Sequence, residues 1–78
     1  MELITNIDKL HTTELGIERI KRNLKINTDV VGYCKKMIID KKCNIYLKGK
    51  NYYCEINNIQ ITINCKSYTI ITAHRIKK

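Results

Sequence analysis

The residue types best suited to chemistry lie near the end of the chain, where Thr72, His74 and Arg75 occur within a few residues. An imidazole can take up or release a proton near neutral pH, and a guanidinium binds phosphate oxygens through paired hydrogen bonds. RNA cleavage by attack of the 2′-hydroxyl needs a base, an acid and a cation beside the phosphate, without a metal ion. With Glu55 as a second proton-transfer group, these residues form a candidate catalytic site for that reaction.

Aromatic and basic residues alternate in the same half of the chain, which is a pattern suited to nucleic-acid binding. On an exposed β-sheet, tyrosine rings stack on unpaired bases and lysines contact phosphates. Basic residues on a helix add further phosphate contacts. The contacts predicted on this basis are Tyr46, Lys48, Lys50 and Tyr53 on the sheet, and Arg19 and Arg22 on a helix.

The charge balance favours an anionic partner. The chain has 78 residues, with 15 Lys and Arg against 7 Asp and Glu, so its formal net charge is +8. Such a charge gives a positive potential over much of the surface, which attracts RNA or another polyanion and, as a second option, an acidic protein. A genome rich in A and T also explains this composition, because its codons favour Lys, Asn and Ile.

The four cysteines, Cys34, Cys43, Cys54 and Cys65, do not follow the spacing of a zinc site, which usually contains a close pair. The first ten residues do not resemble a signal peptide, and no apolar stretch is long enough to cross a membrane. These observations predict free thiols, a cytoplasmic location, no membrane association, and neither a metal nor another cofactor.

The spacing of apolar residues predicts helices over residues 2–42. Leu3, Ile4, Ile7 and Leu10 indicate one short helix, and Ile17, Ile20 and Leu24 indicate a second over residues 14–24 that begins at Thr12 or Thr13. Val30, Cys34, Met37 and Ile38 indicate a third, capped by Asn27 or Thr28. His11 beside Thr12, Thr13 and Glu14 could bind an anion at a helix N-terminus, but a simple cap is the favoured interpretation.

The period then changes from 3.6 to 2, which predicts four strands over residues 43–76. Asn57-Asn58 has the composition of a two-residue hairpin turn, because asparagine tolerates positive φ. In the last strand, Tyr68, Ile70, Thr72 and His74 are predicted to share one face and Thr69, Ile71, Ala73 and Arg75 the other. Both sets contain apolar residues, so the pattern leaves open which set faces the helices.

Together these elements predict a single domain over residues 1–78. Its fold class is α+β, with two to three N-terminal helices packed on one face of a four-stranded antiparallel β-sheet, a meander. The other face of that sheet is expected to be solvated. A size this small also makes a homodimer a reasonable expectation.

The sequence also resembles a known family. The run from Thr12 to Leu24, TTELGIERIKRNL, and the segment from Ser67 to Ile76 resemble small uncharacterised bacterial and phage domains, of the domain of unknown function 3781 type. At a coarser level, the order of helices followed by an antiparallel sheet is similar to metal-independent toxin ribonucleases of the barnase, colicin and RelE group. That second resemblance implies a nuclease site on the final strand at Thr72, His74 and Arg75.

Three functional hypotheses remain open from the sequence. The first is a cytoplasmic nucleic-acid-directed domain, specifically a metal-independent endoribonuclease of toxin type. The second is a non-enzymatic phage or mobile-element protein that binds and inhibits a host nucleoprotein or defence complex. The third is a homodimeric interaction module that pairs through exposed strand edges. Helix-turn-helix DNA binding by residues 19–37 is a weaker rival, because Lys21 and Lys25 occupy positions where such a turn favours small residues.

Overall fold

Helices precede strands along the chain, as the change in apolar spacing predicts. The computed structural model describes residues 2–76. Its elements are α1 (Glu2–Thr5), a 3-10 turn (Ile7–Lys9), α2 (Glu14–Leu24), α3 (Val30–Ile38), β1 (Asn44–Lys48), β2 (Asn51–Ile56), β3 (Ile59–Asn64) and β4 (Ile70–Arg75). The strands form one antiparallel sheet in the order β1-β2-β3-β4. The predicted α+β class and the predicted meander are therefore confirmed.

Helix α2 begins and ends through local backbone chemistry. The Oγ1 atom of Thr13 accepts a hydrogen bond from the backbone N–H of Gly16 at 3.0 Å, so Thr13 is the N-cap. A side chain at Gly16 would collide with the hydroxyl of Thr12, which explains a glycine inside a helix. The helix ends at Lys25, whose φ of 56° is left-handed. Its apolar side buries Ile20 and Leu24 completely.

Two details of the helical half differ from the sequence-based prediction. The first helix does not continue to Leu10, because the side chain of Asn6 donates a hydrogen bond to the carbonyl of Glu2 at 2.9 Å and the chain then tightens into the 3-10 turn. The N-cap position of helix α3 is Asp29, one residue beyond Thr28, and its side chain makes no capping hydrogen bond. Its apolar stripe is as predicted, with Cys34 and Ile38 fully buried.

The core lies between the helices and one face of the sheet. Ile59, Ile61 and Ile63 of β3 are buried on that face and pack with the apolar sides of α2 and α3. The β2–β3 hairpin turns at Asn57 and Asn58, with φ angles of 51° and 62°, so the predicted asparagine turn is confirmed. The register between β2 and β3 has no shift, so the apolar residues of both strands lie on the helix side of the sheet.

Strand β4 contains an irregularity that decides which of its residues face the helices. Thr72 pairs with Thr62, but Ile70 pairs with Ile63, so Ile71 is an extra residue between the two pairs. This bulge moves Ile70 to the core face, where it is 1% exposed, while Thr72 lies on the opposite face. The prediction that Ile70 and Thr72 share a face is therefore wrong, because strict alternation does not hold across a bulge.

The two edges of the sheet are protected to very different extents. The edge of β4 is covered: Thr12 Oγ1 donates to the carbonyl of Ile70 at 2.9 Å, and Asn23 Nδ2 donates to the carbonyl of Ala73 at 3.2 Å. Strand β1 forms the other edge and is mostly exposed, including Leu47 at 57%. Strand pairing with a second chain at an edge of this sheet would therefore use β1.

All four cysteines are free thiols, and Cys34 and Cys54 are fully buried. Burial raises the pKa of the Cys34 thiol to about 12, and the nearby charge of Asp29 adds to the shift. Burial also raises the pKa of Cys54 to about 12, with a smaller contribution from the neighbouring Cys43 thiol. Both thiols therefore stay protonated in the folded protein at pH values where an exposed thiol ionises.

We expect these two thiols to make the protein less stable in alkali. The unfolded chain loses both protons near pH 8.5, whereas the folded chain keeps them up to about pH 12. Because the unfolded state binds fewer protons in this window, the free energy of unfolding falls with pH, by at most about 1.4 kcal/mol per pH unit for each thiol. Urea unfolding at several pH values between 8 and 11 measures the slope.

The double variant Cys34→Ala and Cys54→Ala tests the origin of this slope. Cys65→Ala is its matched control. The double variant removes the buried thiols and should flatten the decline. Cys65 is only half-buried, so its replacement should leave the slope close to that of the wild type. An equal slope in all three proteins would contradict the prediction.

Candidate nucleic-acid interface on the open sheet face

The sheet face that points away from the helices is polar and is referred to below as the open face. Side chains alternate along each strand, and the register aligns them into rows that run across the sheet. The open face comprises Asn44, Tyr46 and Lys48 of β1, Asn51, Tyr53 and Glu55 of β2, Gln60, Thr62 and Asn64 of β3, and Thr72 and His74 of β4. Most of the predicted sheet contacts thus lie on one surface.

Two tyrosines form the aromatic part of the open face. Tyr46 and Tyr53 are paired across β1 and β2, with ring centroids 5.4 Å apart and an interplanar angle of 22°. This is a stacked pair. Tyr46 is 38% exposed and Tyr53 is half-buried. The pair therefore offers an aromatic surface on which a base can stack.

Glu55 is held in place by its neighbours in the sheet. Its Oε2 atom accepts hydrogen bonds from the hydroxyl of Tyr46 and from Nε2 of Gln60, both at 3.0 Å. The hydrogen bond to Glu55 raises the pKa of Tyr46, since the carboxylate favours the protonated phenol. Among the described residues Oε1 has no hydrogen-bond donor, so half of the carboxylate is free to accept from a ligand.

His74 lies in the same row as Glu55. Gln60 is paired with Glu55 on one side and with His74 on the other, so the carboxylate and the imidazole belong to strands separated by one intervening strand. Adjacent strands are about 4.8 Å apart, which puts the two backbones about 10 Å apart. The imidazole of His74 makes no hydrogen bond to any residue within 2–76 and is partly exposed.

Arg75 does not lie with His74. It is paired with Ile59 on the helix side of the sheet, and its Nη2 atom donates to the carbonyl of Leu24 at 3.1 Å. Thr72 does lie on the open face, opposite Thr62 and in the row of Tyr53. The structure thus brings together three of the four predicted catalytic residues and places the guanidinium on the other side.

The predicted basic contacts are more dispersed. Lys48 is on the open face but at the far end of β1 from Glu55, and Lys50 is in the β1–β2 turn. Arg19 and Arg22 are exposed residues of α2, in the helical layer that covers the opposite face. Of these four residues, only Lys48 therefore belongs to the open face itself.

One cation beside Glu55 was not identified from the sequence. Lys42 lines a shallow cavity of about 310 Å³ together with Asn44, Glu55 and Asn57. In the sequence Lys42 appears as a charge at the end of α3, where it suits the helix dipole. Only the pairing of Asn44 with Glu55 shows that the chain after Lys42 lies beside the row of Glu55. No local signal in the sequence indicates this neighbour.

His11 belongs to a separate polar cluster at the beginning of β4. Its Nδ1 lies 2.9 Å from the carbonyl oxygen of Lys9, which can only accept, so Nδ1 carries the proton. Its Nε2 lies 3.1 Å from Thr69 Oγ1, which is 2.8 Å from Ser67 Oγ. The backbone of His11 also bonds to Tyr68 and Ile70. His11 thus attaches the N-terminal segment to the sheet, and Thr13 alone caps α2.

The fold and the open face define a small basic α+β domain with a four-stranded meander. Its family follows from a match over residues 4–74 to the model described as "Protein of unknown function (DUF3781)". The chain belongs to that family, as its resemblance predicts. Comparison with curated proteins and with solved structures gave no match. The likeness to toxin ribonucleases and the bacterial or phage origin therefore stay predictions.

Residues 2–76 contain neither a candidate metal centre nor a helix that could span a membrane. No group of three or more His, Cys, Asp or Glu side chains is arranged to hold a metal ion there. None of the helices in this range has the length and apolar character required to cross a bilayer.

Proposed function

We propose that this protein binds single-stranded RNA on the open face and cleaves it without a metal ion. The observation that carries the proposal is the row Glu55, Gln60 and His74, which lies directly beside the stacked Tyr46–Tyr53 pair. The tyrosines bind an unpaired base by stacking. The carboxylate and the imidazole then lie next to the sugar and phosphate of that nucleotide.

The spacing of Glu55 and His74 suits an in-line displacement at phosphorus. Such a reaction needs a base and an acid on opposite sides of the phosphate, each within hydrogen-bond distance of its oxygen. Gln60 of β3 lies between the two residues, whose backbones are about 10 Å apart, so a phosphodiester that lies over Gln60 on the open face can contact both side chains. Glu55 is the base because its carboxylate is oriented by Tyr46 and Gln60.

In the proposed reaction, Glu55 takes the proton from the ribose 2′-hydroxyl. The 2′-oxygen then forms a bond to phosphorus, and the bond between phosphorus and the 5′-oxygen breaks. The imidazolium of His74 gives its proton to that leaving 5′-oxygen. The products are a 2′,3′-cyclic phosphate and a free 5′-hydroxyl.

Negative charge that develops on the phosphate requires a cation nearby. Lys42 fills this role in the proposed mechanism, because it lines the same cavity as Glu55 and Asn57. Arg75 lies on the helix side of the sheet, where its Nη2 atom donates to the carbonyl of Leu24. Lys48 binds the RNA backbone further along the strand. Thr72 contacts the same nucleotide from the row of the tyrosines.

Incubation of the purified protein with end-labelled single-stranded RNA in EDTA tests the proposal. We expect the wild type to cleave and His74→Ala to bind the RNA without cleaving it, because the variant loses only the proton donor. His11→Ala separates the two histidines. Cleavage that is lost in His11→Ala and retained in His74→Ala would overturn the assignment of the open face.

Other outcomes favour the two alternative functions. An inhibitor of a host nucleoprotein would leave the RNA intact and would depend on scattered Lys, Arg and Tyr residues rather than on His74. A homodimeric interaction module would show little affinity for RNA. Through this sheet it would pair along β1, the edge that other described residues leave uncovered.

A further inference from the structure

A second cavity lies on the helix side of the sheet, between α3 and the β2–β3 turn. Its volume is about 390 Å³, within the usual range for small-molecule sites. Met37 and Ile56 contribute its apolar lining, and Tyr33, Lys36 and Arg75 contribute aromatic and basic groups. This combination of an apolar floor, one ring and two cations matches the chemistry of a nucleotide.

The basic groups of this cavity are suited to a phosphate. Arg75 is held by its hydrogen bond to the carbonyl of Leu24, which uses one of five guanidinium donors. Lys36 supplies a second positive charge from α3. Asp40 also lines the cavity, but its Oδ1 atom accepts from the backbone N–H of Lys42 at 2.8 Å. The two cations therefore exceed the one carboxylate.

The cavity is adjacent to the cavity beside Glu55. Ile56 and Asn57 line both cavities, and the two cavities lie on opposite sides of the β2–β3 turn. A strand that leaves Glu55 passes Lys42 and Asn57 and arrives at Tyr33. Charged and amide side chains are present along this whole path, so a sugar–phosphate backbone is solvated or hydrogen-bonded throughout.

We infer that the α3 cavity is a subsite for a flanking nucleotide of the same single-stranded RNA. The base of that nucleotide stacks on Tyr33, and its phosphate lies between Lys36 and Arg75. This inference rests on the proposed function, since the strand must first occupy the open face. The RNA then wraps around the β2–β3 turn and contacts both sides of the sheet, so short substrates use only part of the site.

The experiment compares 2′-O-methyl uridine oligonucleotides that are two and eight nucleotides long, because they keep the bases and phosphates but lack the 2′-hydroxyl that the proposed cleavage requires. Amide chemical shifts of the wild type report the location of each. We expect both RNAs to shift Tyr53, and only the octanucleotide to shift Tyr33. Lys36→Ala should weaken octanucleotide binding about tenfold, the usual effect of losing one hydrogen bond to a charged group. Dinucleotide binding should not change.

Lys35→Ala is the matched control, because it removes the same charge from the same helix outside the cavity. Equal effects of Lys35→Ala and Lys36→Ala, with Tyr53 shifted and Tyr33 unshifted, would overturn the subsite while the open-face proposal stands. Shifts at Tyr33 with inorganic phosphate that equal those with the octanucleotide would show an independent anion site and would also overturn it. RNA that shifts none of these amides would overturn both proposals.

Discussion

Glu55→Gln is expected to slow RNA cleavage by about two to four orders of magnitude, the usual contribution of a positioned acid or base. The amide oxygen of the new side chain can still accept from Tyr46 and Gln60, so the local structure is kept. It cannot take the proton of the 2′-hydroxyl. Single-turnover cleavage with saturating protein measures the effect on the chemical step, apart from any change in RNA binding.

Tyr46→Phe is the matched control for Glu55→Gln. Tyr46→Phe removes one hydrogen bond to Glu55 but no proton-transfer group, so it should lower the rate far less. Full activity in Glu55→Gln would rule out Glu55 as the base.

Tyr53→Ala is expected to weaken binding of single-stranded RNA by about 5- to 150-fold. Stacking of one base on an aromatic side chain contributes about 1–3 kcal/mol, and each 1.4 kcal/mol is a factor of ten. Tyr53 is also the stacking partner of Tyr46, so its loss removes one of the two contacts that position the Tyr46 ring. Fluorescence anisotropy of a labelled RNA measures the affinity, and thermal unfolding monitors the fold.

The matched control for Tyr53→Ala is Tyr53→Phe, which keeps the ring and loses only the hydroxyl. If stacking carries the affinity, Tyr53→Phe should bind like the wild type. Salt separates the two kinds of contact further, because phosphate contacts weaken steeply with salt concentration and stacking does not. A Tyr53→Ala protein that binds as tightly as the wild type would show that the RNA, if it binds, lies elsewhere.

Local patterns in the sequence predicted most of the secondary structure. The α2 boundaries, a capping threonine at position 12 or 13 and the Asn57-Asn58 turn depend on neighbouring residues, so they can be predicted from the chain directly. The first helix was predicted too long because apolar spacing does not register the hydrogen bond from Asn6 to Glu2. Short turns, which favour antiparallel neighbours, predicted a meander, but the order β1-β2-β3-β4 was established only by the structure.

The candidate site was predictable in part for the same reason. Tyr46, Tyr53 and Glu55 belong to strands with unbroken alternation, so their common face follows from the period of two. Lys42 was missed because its proximity to Glu55 arises from the return of the chain through the β1–β2 turn. Arg75 and His74 are adjacent in the sequence and were grouped in one candidate site, although the alternation of the strand already predicts opposite faces for them, and the structure has them so.

By itself, the sequence determined the fold class, the family, the excess of positive charge and the alternation of β2 and β3. Only the tertiary structure decided that Thr72 and His74 lie on the open face and Arg75 on the helix side. The reason is the bulge at Ile71, which appears only when β4 is hydrogen-bonded to β3. Periodicity is a property of one strand, whereas register is a property of two.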